Sequence, residues 1–278
     1  MRHARIIGFI SVKGGVGKTT TVANLGLILA KDFKKRVLVV DGNFSGPSLA
    51  LHFGFTKPKN TLHDVLEKKV RIEKAIYEHS SGMHLLPSSL LSRKTDFSKF
   101  GKYLASLRAY YDVILVDSSP ALNEEMLATI SASDELFVIT TPDYVTLAST
   151  LHAVKTAKEK RTYISGLIMN KVRGKKFELS LEDVQDATKV PVVSVLHDDE
   201  KLMHSLARSL PLSAYLNNRT VAEYKKLAAA LIGEKYNDKR IGARFSSLIG
   251  KRLSQDEINR AIVMVSHYWD LFLINYKT

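Results

Sequence analysis

The residues best able to do chemistry crowd into one loop near the N-terminus, KGGVGKTT from Lys13 to Thr20. Gly14, Gly15 and Gly17 let the backbone bend and approach an anion closely, Lys18 supplies a point charge, and the Thr19 hydroxyl is placed to ligate magnesium. Val16 and Thr20 complete the binding set. Two carboxylates further along, Asp41 after RVLVV and Asp117 after VILV, stand where apolar runs end. A strand-end carboxylate there can hold a magnesium ion, usually through its water shell. The ligand implied is a phosphate.

Such a loop works only if strand and helix present it. Residues 6–10 form a short apolar, β-branched run that suits a strand buried on both faces. From Lys18, the residues Val22, Leu25, Ile28 and Leu29 recur at helical spacing, so the loop opens directly into a helix. The unpaired N–H groups and positive dipole end of that helix then face the loop. Further buried strands are expected over 36–40, 83–87, 113–116, 135–141, 163–169 and 191–196. Amphipathic helical surface is expected over 61–79, and helices over 97–109, through Val145, Leu147, Leu151, Val154 and Ala157, and over 222–232. Alternation of strand and helix with right-handed crossovers gives a mostly parallel sheet covered on both faces.

The general phosphate-loop pattern asks for glycine where this chain has Val12, and a second lysine, Lys13, stands just before the glycines. KGGVGKTT therefore resembles the deviant Walker A motif of the MinD and ParA family of ATPases, and the resemblance covers about residues 5–233. It implies a doubly wound α/β P-loop NTPase sheet of about seven or eight strands. It implies ATP and Mg²⁺ as ligands and a homodimer in which Lys13 reaches the phosphates held by the partner subunit. Lys18, Lys13 and Asp41 would then act on the γ-phosphate, and Thr19, Asp41 and Asp117 on the metal. The family typically has two aspartates separated by one residue in the switch loop, the second orienting the attacking water. This chain has Asp41, Gly42 and Asn43. An amide can hold a water but can neither accept its proton at neutral pH nor supply negative charge, so slow turnover, or an ATP-gated scaffold without turnover, follows as an alternative. The resemblance assigns adenine recognition to Asn170, against the alternative of a turn asparagine. It assigns the loop over the base to His197, Asp198 and Asp199, where the family more often has Ile-Pro-Glu, and leaves His197 a loop residue without a catalytic role.

Composition narrows the class. The chain has 278 residues, 45% of them hydrophobic, enough for one large domain with an appendage. It contains no cysteine, which excludes disulfides and cysteine-held zinc or iron–sulfur centres. No stretch reaches the ~20 apolar residues of a membrane span, so a soluble cytoplasmic protein is expected. A formal charge of +13 favours polyanionic partners.

Residues 1–234 read as the ATPase domain and 235–278 as a helical extension. Within the extension, 240–253 places Ile241, Phe245, Leu248, Ile249 and Leu253 on one face with Arg240, Arg244, Lys251 and Arg252 flanking it. Such a basic amphipathic helix can lie in an anionic membrane interface, pack on the domain or face DNA. Residues 257–276 form a second, mostly apolar helix that must be covered by protein or lipid. MinD-like positioning of cellular machinery, peripheral at the inner face of the membrane and with an activating partner protein, is the first expectation. ParA-like partitioning on nonspecific DNA is the second.

Overall fold

A computed structural model describes residues 4–90, 95–201 and 219–236. The chain runs β1 (Arg5–Ile10), α1 (Lys18–Lys31), β2 (Val37–Gly42), α2 (Leu62–Leu66), β3 (Tyr77–Glu78), β4 (His84–Leu86), α3 (Phe100–Ser106), β5 (Val113–Ser118), α4 (Glu124–Ala132), β6 (Glu135–Thr140), α5 (Tyr144–Glu159), β7 (Tyr163–Val172), α6 (Leu181–Thr188), β8 (Val192–His197) and α7 (Arg219–Leu231). Two 3₁₀ turns, Ala50–Phe53 and Ile72–Ala75, interrupt the connections.

The strands form one 8-stranded sheet in the order β3-β4-β2-β5-β1-β6-β7-β8, parallel except where β3 pairs antiparallel with β4. β1 lies at its centre, with Ile6 opposite Ile114 of β5 and Phe9 opposite Phe137 of β6. Its side chains alternate between the two faces. Ile7 and Phe9 enter the core shared with Leu25 of α1 and Tyr224 of α7, while Ile6 packs with Phe100 of α3. Ile10 joins Met126 of α4 and Ala153 of α5. Both faces are therefore covered, which is why the central strands read as unbroken apolar runs.

α1 sits deep against the sheet, with every position from Thr20 to Ala30 buried. Gly26 permits this, because a Cβ there would stand 2.4 Å from Val39 Cγ2 and 2.8 Å from Met83 Sδ. The helix that carries the phosphate loop is thereby fixed to the strand that carries Asp41.

Three expectations are corrected. The stretch 61–79 is not one helical surface. α2 starts on a capping box between Thr61 and Asp64 and ends at Leu66, Lys68 turns left-handed at φ 59, and the chain then forms a 3₁₀ turn and β3. Leu62, Val65, Leu66, Ile72 and Ala75 all enter one core, which a continuous helix of that length could not bring together. His197 is the last residue of β8, with its ring on Glu223 of α7, rather than a loop residue. β7 runs on to Val172, so Asn170 lies within the strand rather than just after the expected end at 169. The expected helices over 240–253 and 257–276 lie outside the described residues.

Candidate nucleotide site

The loop between β1 and α1 has the conformation that its glycines allow. Gly15 and Gly17 take φ of +77° and +91°, where a Cβ is costly. Gly17 caps α1, and no side chain bonds back to the first turn, so its N–H groups stay available to an anion. A Cβ on Gly14 or Gly15 would meet nothing within 4 Å, so open space lies in front of the loop.

Beneath it the charged groups converge. Lys18, 5% exposed, places Nζ 2.6 Å from Asp117 Oδ1 and also donates to the Ser118 carbonyl. The Thr19 hydroxyl donates to Asp117 Oδ2 at 2.6 Å. Asp41 and Asp117 are fully buried on adjacent strands, in direct register. Asp41 Oδ1 accepts from Asn43 N at 3.1 Å and Oδ2 from Leu49 N at 3.0 Å, and the Ser88 hydroxyl donates to the Asp41 carbonyl at 2.7 Å. Burial first, and then the charge of Asp117, hold the Asp41 carboxyl well above the ordinary carboxylate range. Two buried carboxylates sharing a single lysine are short of positive charge. With the Thr19 hydroxyl beside them, they form a hard oxygen donor set of the kind a hydrated Mg²⁺ takes.

Asn43 is buried too. Its amide nitrogen donates to the Gly46 carbonyl, while Oδ1 has no partner among the described residues. Asn170 Nδ2 donates to the Val16 carbonyl at 2.7 Å, so this candidate base contact braces the phosphate loop from β7. Thr20 is buried, its hydroxyl 3.5 Å from His52 Nε2.

Lys13 points elsewhere. Its ammonium donates to Thr146 Oγ1 at 2.8 Å and lies 3.4 Å from Asp143 Oδ1, both at the start of α5. Asp143 caps that helix by accepting from Thr146 N at 2.9 Å. Partial burial works against the charged form of Asp143. Bonds from the Thr141 and Thr146 hydroxyls and the Thr146 amide, with Lys13 nearby, outweigh it and bring the carboxyl down to about 2. Asp198 stands apart, accepting from Arg173 Nε at 2.7 Å.

The structure thus brings Lys18, Thr19, Asp41, Asn43 and Asp117 together, adds Asn170 at the loop, and leaves Lys13 and Asp198 on other partners. Asp143, Ser88 and Glu125 escaped the reading of the sequence. Their one signal is position: Ser88 and Asp143 lie just past the carboxyl ends of β4 and β6, where ligands gather, and Glu125 opens the helix that follows β5.

Residues 4–165 match an AAA domain family. An uncharacterised ATP-binding protein of Methanocaldococcus jannaschii is 33% identical over 234 residues, covering 83% of this chain and 88% of its own. The cell division ATPase MinD of Pyrococcus furiosus superposes with a TM-score of 0.76 at 29% identity, over 81% of this chain and 97% of that one. The chain belongs to the MinD/ParA family of P-loop ATPases. A further MinD/ParA-family structure, the septum site-determining protein MinD of Pyrococcus horikoshii complexed with Mg-ADP, matches at 27% identity and a TM-score of 0.77, over 90% and 100% of the two chains. The MinD/ParA fold expected from the phosphate loop is therefore the fold observed, and the similarity is to MinD-like cell-division ATPases.

Proposed function

We propose that this MinD/ParA-family protein binds ATP with Mg²⁺ in the loop before α1 and closes into a homodimer. In that dimer it binds an anionic membrane surface through its C-terminal extension, positions cellular machinery, and releases ADP and phosphate slowly. One observation carries the reading: two buried carboxylates stand in register at the N-terminus of a buried helix with one lysine near them, and that lysine and the Thr19 hydroxyl both bond to Asp117, leaving Asp41 without a cation in contact among the described residues. A structural core would not retain so incompletely neutralised a pair.

In this reading Lys18 leaves Asp117 for the phosphates, and Thr19, Asp41 and Asp117 take the metal. Mg²⁺, when bound, offsets charge on the β- and γ-phosphate oxygens. Asn43 Oδ1, buried and unpaired, accepts a hydrogen bond from the attacking water. Lys13 exchanges Asp143 for the phosphates of the second subunit. Asn170 and Asp198 serve the base. Among the described residues no helix is long and apolar enough to cross a membrane, which fits peripheral binding at the inner membrane face. Two weakly binding tails acting together make the dimer bind where the monomer does not.

The test is ATP uptake with and without Mg²⁺, followed by co-sedimentation with anionic vesicles and by DNA binding, each with and without ATP. Vesicle binding that requires ATP supports the reading. ATP-dependent DNA binding without vesicle binding supports the ParA-like alternative, to which the charge of +13 also points. No uptake of ATP removes both.

A further inference from the structure

Asn43 cannot supply the negative charge that water activation calls for, and a buried carboxylate holds the backbone two residues further along the chain. Glu125 lies in the first turn of α4, 8% exposed, and its Oε2 accepts from Ser45 N at 3.2 Å. Among the described residues no lysine, arginine or histidine pairs with it. One turn on, Thr129 lies against the same segment, since a Cβ on Gly42 would stand 3.0 Å from Thr129 Oγ1. The Glu125–Thr129 face of α4 therefore runs along residues 42–45, past Asn43.

The helix dipole does not account for this carboxylate. Glu124, exposed in the same first turn, already meets the dipole, which favours an acid there only weakly. Burying a carboxylate that has no cationic partner among the described residues is unfavourable, and one amide hydrogen bond does not offset the lost hydration.

We propose, resting on the ATPase reading above, that Glu125 is a positioning residue for hydrolysis, providing at the switch loop the negative charge that Asn43 lacks. Through the Ser45 amide it fixes the turn that carries Asn43 Oδ1. Its charge favours the partial positive charge that develops on the water as the new bond to the γ-phosphorus forms. The bond from that phosphorus to the bridging oxygen breaks with its electron pair going to ADP, and the water's proton leaves with the released phosphate.

The experiment measures ATP affinity, melting midpoint, and kcat and KM for phosphate release in the native full chain, E125Q, E125A, N43D and E125Q/N43D. Glutamine keeps an acceptor for the Ser45 amide and removes only the charge. E125Q is expected to lower kcat at least about tenfold with ATP affinity and KM nearly unchanged. N43D is expected to restore most of that loss in the E125Q background, a coupling that two independent structural sites would not show. E125Q turning over like the native chain while E125A fails would reduce Glu125 to a structural support and overturn the inference. So would failure of N43D to rescue, or a native chain that binds ATP and releases no phosphate. A native chain that does not bind ATP would fail earlier, at the ATPase reading itself.

Discussion

Removing the Lys18 ammonium tests the site without any nucleotide. In Lys18→Met, Asp117 loses a charge partner 2.6 Å away, and Asp41, equally buried in the neighbouring strand, loses its nearest cation. Breaking a buried ion pair by deleting one member costs roughly 3–5 kcal/mol, because the remaining charge is left in a medium that solvates it poorly. At about 2–4 °C per kcal/mol for domains of this size, the melting midpoint should fall by roughly 6–20 °C. The cost is capped by protonation of the orphaned carboxyls, so it should be larger at pH 8 than at pH 5. Lys18→Met/Asp117→Asn should recover more than half of the loss while remaining unable to bind ATP, which separates folding from ligand binding. Urea melts of the three proteins in nucleotide-free buffer decide the matter. A Lys18→Met protein within about 1 kcal/mol of native stability would refute the argument that these carboxylates need a cation.

Gly17→Ala should cost roughly 1–2 kcal/mol of left-handed strain. Its Cβ would also stand 2.2 Å from Asn170 Nδ2, so urea melts and ATP titration should both weaken. Asp143→Ala/Thr146→Val removes both partners of Lys13 at the start of α5 and should raise ATP-dependent self-association, read by sedimentation velocity; unchanged association would show that the intrachain contacts do not compete. Because Asp143 titrates lower in the folded chain than in the unfolded one, its stabilisation is present above about pH 4 and is lost as pH falls toward 2. Asp143→Asn should flatten that limb of an acid titration followed by circular dichroism. Lys189, the α6 C-cap at φ 54, should gain roughly 0.5–1 kcal/mol when changed to glycine, measured as a shift in urea midpoint.

Much of the fold was legible because buried parallel strands are continuous apolar runs and phosphate loops have a fixed spacing. Residues 6–10, 113–116 and 135–141 announced strands, and Val22, Leu25, Ile28 and Leu29 announced α1. The short helices α4 and α6 did not stand out: nine and eight residues carry too few periodic positions. The stretch 61–79 misled because its apolar spacing suits a helix, while the core it fills lies under two separate short elements, α2 and the 3₁₀ turn.

Local chemistry alone determined the phosphate loop, the identity of its lysines and the presence of Asn43 where a carboxylate was expected, since these depend on neighbours along the chain. Pairings between distant segments belong to the folded molecule. Lys13 meets Asp143 across 130 residues, Asn170 reaches Val16 across 154, and Glu125 supports Ser45 across 80. The parallel sheet produces these meetings by bringing the carboxyl ends of β1, β2, β5, β6 and β7 to one edge. Which donors and charges remain unmatched there depends on burial, and burial exists only once the sheet has closed.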